Sequence, residues 1–139
     1  MKKFTFLSVL FLAGTVHAQT GAQPGDLGGQ WKMVGWTLPD FVPIKGKLPV
    51  LIFKGNQVSG NSGCNQFSGS VSVNGTSITF SNLSTTRMAC DGPVMQQEQT
   101  FLKALSGQTL KVERVADSLT FTNTDGYMVN IRRSTLQPK

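Results

Sequence analysis

Three side chains in this sequence have chemistry worth tracing: the thiols of Cys64 and Cys90 and the carboxylate of Glu98. An even pair of cysteines in an exported chain reads first as a disulfide, here closing a loop of 27 residues. The chain-entropy argument gives such a closure on the order of 3 to 4 kcal/mol. Two free thiols are the alternative reading. A metal site is a poorer one, since neither cysteine has a close ligand partner and the single histidine, His17, lies in a segment expected to be removed. Glu98 stands four residues after Val94 and three before Phe101, beside the apolar stripe of a helix rather than opposite it. A carboxylate there needs partners, which neighbouring loop amides or Arg87 could supply.

Catalytic constellations are missing. Without histidine the mature chain lacks the usual general base of serine and cysteine hydrolases. No serine stands three residues before a lysine, and no glycine-rich phosphate loop or dinucleotide fingerprint occurs. Of the seven acidic residues, Asp26, Asp91, Asp117 and Asp125 read as leader, cap or turn residues rather than a glycosidase pair. No enzyme activity, cofactor or metal is expected.

The elements that must position these residues begin with an export signal. Met1-Lys2-Lys3 is a short basic start, Phe4 to Ala13 is almost wholly apolar, and Val16 and Ala18 occupy the positions a signal peptidase reads. Cleavage after Ala18 is expected, and the apolar run is too short for a permanent anchor. Thr15 stands where a lipoprotein signal would carry its acylated cysteine, so the protein is expected to be soluble, periplasmic or secreted, and monomeric. Removal of residues 1–18 leaves eleven basic and seven acidic side chains, a net charge of +4. The basic residues are scattered, without the stripe that nucleic-acid binding requires.

Residues 19–29 read as a flexible leader, residues 30–133 as one domain, and 134–139 as a tail. Trp31 to Trp36 reads as a first strand, with its two tryptophans five apart and therefore on opposite faces. The loop Leu38–Lys47 holds Pro39 and Pro43. Pro49 to Phe53 is a continuous apolar run, as in a strand covered on both faces. Phe67 to Val73 alternates, and Asn74-Gly75 marks a hairpin into Ser77–Phe80. Leu110 and Val112, then Leu119 and Phe121, then Tyr127, Val129 and Ile131 give three more alternating strands. Between them Asp91 as cap, Pro93 in the first turn and Gly107 as stop bound a helix over about 92–106, with Val94, Phe101, Leu102 and Leu105 on one face. The fold class is α+β, mainly antiparallel β: a strongly curved sheet or small barrel of seven to eight short strands with one packed helix.

Four segments together resemble one family. Gly63-Cys64-Asn65, then Phe67 with Gly69, then Thr86-Arg87-Met88-Ala89-Cys90, then Glu98 with Phe101 and Leu105 are similar to the pattern of the META domain, or HslJ-like, family, over roughly residues 28–133. The resemblance implies a compact β-rich domain in bacterial envelope proteins, linked to heat-shock and drug stress and without established catalysis. It also implies a likeness to pilot proteins, which bind secretin tails or lipid in a cracked barrel. The corner of Gly63, Asn65, Phe67, Thr86, Met88 and Glu98 is expected to be a stapled structural corner, with a ligand-binding loop as the rival. The expected role is binding or assembly in envelope stress tolerance, with an unidentified envelope protein as partner. The alternatives are a carrier of a small apolar ligand, or a secreted hydrolase inhibitor acting through Leu38–Lys47.

Overall fold

The computed structural model describes residues 27–134 and the isolated Gly14. The export signal and most of the leader and tail expected from the sequence therefore lie outside the described residues. Among the described residues these elements follow in order: β1 (Gly29–Trp36), β2 (Val50–Lys54), β3 (Gln57–Asn61), β4 (Gln66–Asn74), β5 (Ser77–Phe80), β6 (Ser84–Thr85), α1 (Gly92–Leu105), β7 (Thr109–Val115), β8 (Ser118–Thr122) and β9 (Met128–Arg133). All pairings are antiparallel. Eight strands close a barrel in the order β3-β2-β1-β9-β8-β7-β5-β4, and β4 returns to β3 through Gln57↔Ser70 to Asn61↔Gln66. The two-residue β6 is the ninth strand, laid on β4 beyond the end of β5. The expected curved sheet or small barrel is thus a closed one.

Turn chemistry explains the register. Asn74 pairs with Ser77 across a two-residue loop, and its Gly75 sits at φ 59°, where glycine has no steric penalty. Period-two alternation fills the interior: Trp31, Leu51, Phe53, Ile78, Phe80, Leu119, Phe121 and Ile131 are almost fully buried. The ring of Phe80 meets Phe121 edge-on at 5.8 Å and lies 6.5 Å from Phe53. Close-packed rings of this kind leave the lumen occupied by side chains. From α1, Phe101 and Leu105 are fully buried, Val94 is buried and Leu102 half-buried, as the helical face requires.

Several sequence expectations need correction. The pairing of β1 with β9 slips between Met33 and Gly35. The bulge at Val34 restores phase, so Trp31, Met33 and Trp36 all face Arg133, Ile131 and Val129 on one side of the sheet. Both tryptophans therefore point inward, Trp36 packing on Phe41 at 4.8 Å. Strand β2 is covered on one face only: Leu51 and Phe53 are buried while Ile52 is 40% exposed. Tyr127 lies in the turn before β9 and is likewise 40% exposed, because Asn123 folds that turn back on itself. Asp91 occupies the N-cap position of α1 but gives no side-chain cap. The packed domain reaches back to Leu27, inside the expected leader: Leu27 is buried, and its carbonyl accepts the Trp31 Nε1–H at 2.6 Å.

Candidate functional site: a stapled corner and an uncharged trough

The β3–β4 connection turns on Gly63 at φ 118°, a conformation that L side chains rarely adopt. A Cβ there would also lie 2.7 Å from the Gln97 amide nitrogen and 2.9 Å from the Lys47 carbonyl oxygen. The turn delivers Cys64 to a disulfide with Cys90, two residues before α1. Disulfide geometry needs the paired backbones close, and the Cα atoms are 6.1 Å apart.

Glu98, only 4% exposed, is drawn into the same turn from the second turn of α1. Its Oε2 accepts from Ser62 Oγ at 2.5 Å and from the Asn65 backbone amide at 2.7 Å, and its Oε1 accepts from Asn65 Nδ2 at 2.7 Å. Burial by itself pushes the carboxyl pKa up. The bonds from Ser62, from the side chain and backbone of Asn65 and from the Cys64 amide outweigh it, so Glu98 titrates below its ordinary value. Arg87 is exposed and takes no part. The other end of Asn65 is equally engaged, its Oδ1 accepting from Met88 N at 2.6 Å and from Thr86 Oγ1 at 3.0 Å. Thr86 Oγ1 in turn accepts from the Gln66 amide at 3.1 Å.

Of the residues expected at this corner, Cys64, Cys90, Asn65, Thr86, Met88 and Glu98 are joined directly, and Gly63 forms the turn. Phe67 faces the other way, onto the Phe101 ring at 6.0 Å. Met88 is held by its backbone while its side chain stays exposed. Two members were missed. Ser62 is buried and caps the carboxylate; Gln97 is buried and ties down the neighbouring loop, accepting from Ile44 N at 2.7 Å and donating to Lys47 O at 2.6 Å. Only the polar run Gln96 to Gln99 could have signalled Gln97, and it reads as a solvated face. No buried side-chain polar atom among the described residues lacks a partner. The corner is satisfied internally and acts by holding β6 against β4.

What it holds is one wall of a trough of about 550 Å³ on the outer face of β2, β3, β4 and β6. Val50 and Ile52 form its apolar part; Ser59, Ser68, Thr85 and Thr86 supply hydroxyls, and no lining residue is charged. Among the described residues no three of His, Cys, Asp and Glu come together as a metal site, and no helix is long and apolar enough to cross a membrane.

The sequence model of the META domain matches residues 26–135. Comparison with curated proteins gives no match. Among solved structures, the chain is similar to an NMR structure of a protein from Burkholderia xenovorans, with 25% identity and a TM-score of 0.64 over 97% of this chain and 99% of that one. A second NMR structure is 22% identical, also at a TM-score of 0.64, over 84% of this chain and 99% of its own.

Proposed function

This chain belongs to the META domain family, and on that premise we propose that it is a non-enzymatic domain of the cell envelope that binds an extended segment of a partner protein, as an assembly helper under stress. The observation that carries this reading is the uncharged trough with an open strand at its lip. Among the described residues β6 pairs with β4 on one side only, whereas every barrel strand is paired on both. An extended segment could add to β6 by main-chain hydrogen bonds while its alternate side chains rest on Ile52 and the serine rows. The occupied barrel interior speaks against a carrier of an apolar ligand. The inhibitor reading loses its free loop, because Gln97 grips Ile44 and Lys47, and Phe41 is buried. The buried carboxylate of Glu98 is committed to Ser62, Asn65 and the Cys64 amide, which supports a structural rather than a catalytic role for it. The disulfide suits an oxidising compartment.

The test is site-specific photo-crosslinking in the native compartment, with the reactive group at Ser68 in the trough or at Lys111 on β7. A single adduct from Ser68 that disappears with Ile52→Glu, at unchanged melting temperature, is expected. Equal adducts from both positions, or none, would defeat the proposal.

A further inference from the structure

A second concavity, of about 560 Å³, lies on the other side of α1, where its outward face meets the Leu38–Asp40 loop and the turn into β9. Its chemistry differs from that of the trough. Asp40, Gln99, Lys103, Gln108 and Asp125 line it together with the exposed ring of Tyr127. Among the described residues no buried side-chain polar atom lacks a partner; those five side chains are solvent-exposed and make no hydrogen bond or ion pair with another described residue. Two carboxylates, two primary amides and one ammonium thus share one solvent-open hollow with an aromatic residue, without partners among the described residues.

Its walls are held in place. Asn123 Oδ1 accepts from the amides of Asp125 and Tyr127 at 3.0 and 2.9 Å, and its own amide donates to the Tyr127 carbonyl at 3.0 Å. Thr37 exchanges two bonds with Met128, at 2.8 and 2.9 Å, which fastens the Leu38–Asp40 loop to the same turn. A preformed site loses less ordering entropy when it binds.

We infer that this pocket is a binding site for a short neutral saccharide. A sugar ring has one face of C–H groups, which suits an aromatic ring, and a rim of paired hydroxyls that both donate and accept. Carboxylates accept from adjacent hydroxyls, amides bond both ways and Lys103 donates, so the lining answers each kind of rim group. Charges of both signs suit a ligand without net charge: Asp40 and Asp125 repel a phosphate, and Lys103 offsets part of their pull on an amine. A lipid chain laid here would strip water from Asp40, Lys103 and Asp125 without replacing its bonds. The site is independent of the trough and stands or falls without it.

The test is an amide-proton NMR titration of the disulfide-intact protein with N,N′-diacetylchitobiose and, separately, cellobiose. The expected result is saturable shifts in residues 38–40, 99–108 and 123–127 from at least one sugar, with a dissociation constant of about 1 mM. Tyr127→Ala should weaken binding about tenfold or more, while Tyr127→Phe retains it because the ring face is kept. Asp125→Asn, which preserves shape, should weaken it less. No shift from either sugar at about 20 mM would overturn the inference, since that is far above the expected constant. So would shifts insensitive to Tyr127→Ala, or a response confined to lysine amide as a cationic probe.

Discussion

Glu98 and Asn65, 33 residues apart, meet twice: the backbone amide and the side-chain amide of Asn65 each lie 2.7 Å from a different oxygen of the one carboxylate. Both Glu98 oxygens accept and neither can donate, so the pair fixes the protonation state as well as the geometry. Glu98→Gln keeps the shape but turns an NH₂ toward a donor. Asn65 cannot flip to receive it, because its Oδ1 already holds Met88 N and Thr86 Oγ1. A loss of about 1 to 3 kcal/mol is expected, read from denaturant midpoints with an unchanged slope. A shift as small as that of an exposed control, Gln96→Glu, would show that the corner does not carry this weight.

The same carboxylate sets an acid limit. Its folded pKa lies below its unfolded value of about 4.3, so its contribution is present above that value and disappears as pH falls through the folded one. Melting temperatures followed from neutral pH downward should decline below about pH 4, where the unfolded chain takes up the proton first. In Glu98→Gln the decline should be shallower. Parallel acid limbs in the two proteins would place the acid sensitivity elsewhere.

Gly60 and Gly92 offer a contrast in what glycine is for. A Cβ on Gly60 would run into the backbone carbonyl of Val50 and come within 2.9 Å of the Phe67 ring, at the seam where β3 closes the barrel. Gly92, at the start of α1, has nothing within 4 Å and no positive φ. Gly60→Ala should therefore cost roughly 2 kcal/mol or more, since backbone must move. Gly92→Ala should be neutral or stabilising by about 0.5 to 1 kcal/mol. Thermal melts of the two variants decide it; equal effects would mean that the β2–β3 crossing relaxes freely.

Much of this architecture could be read from the residues because its cause is local. Alternation placed most of β4, β7, β8 and β9, Asn74-Gly75 placed a hairpin, and Val94, Phe101 and Leu105 placed the helix face. The position of Glu98 beside that face announced a buried carboxylate, and the two cysteines announced the staple. What failed depended on pairing across the sheet. The bulge at Val34 that brings Trp36 inward exists only in register with Asn130 and Val129. The bare outer face of Ile52 follows from the strands that flank it, not from its apolar neighbours in the sequence. Ser62 and Gln97 look like surface residues until the fold brings a carboxylate to one and a loop to the other.

Oxidation state should matter in proportion to the chain it encloses. The Cys64–Cys90 bond ties the β3–β4 turn to the approach of α1. Replacing both cysteines by alanine frees a 27-residue loop in the unfolded state and should cost roughly 3 to 4 kcal/mol. Glu98, Ser62 and Asn65 can still assemble without the sulfurs, so the variant should fold at lower temperature rather than fail to fold. A reductant should lower the melting temperature of the native protein and leave the double variant unmoved. If the two respond alike, the stabilisation comes from something other than the crosslink.

Gln97 gives the most local prediction. Its two bonds, to Ile44 N and Lys47 O, are, among the described residues, the side-chain hydrogen bonds that hold the Leu38–Lys47 loop against α1, while the buried Phe41 and the Thr37–Met128 bonds anchor its other end. Gln97→Ala leaves both backbone groups without that partner, at about 1 kcal/mol for each lost bond. Because Phe41 and the Trp36 stack remain, the loss should appear as local opening rather than global unfolding. Hydrogen exchange would show it directly: the Ile44 amide should exchange about tenfold faster or more, while amides of β8 and β9 keep their protection. If the whole barrel loses protection together with Ile44, the loop and the barrel form one cooperative unit, and Gln97 belongs to the core rather than to a clasp on its surface.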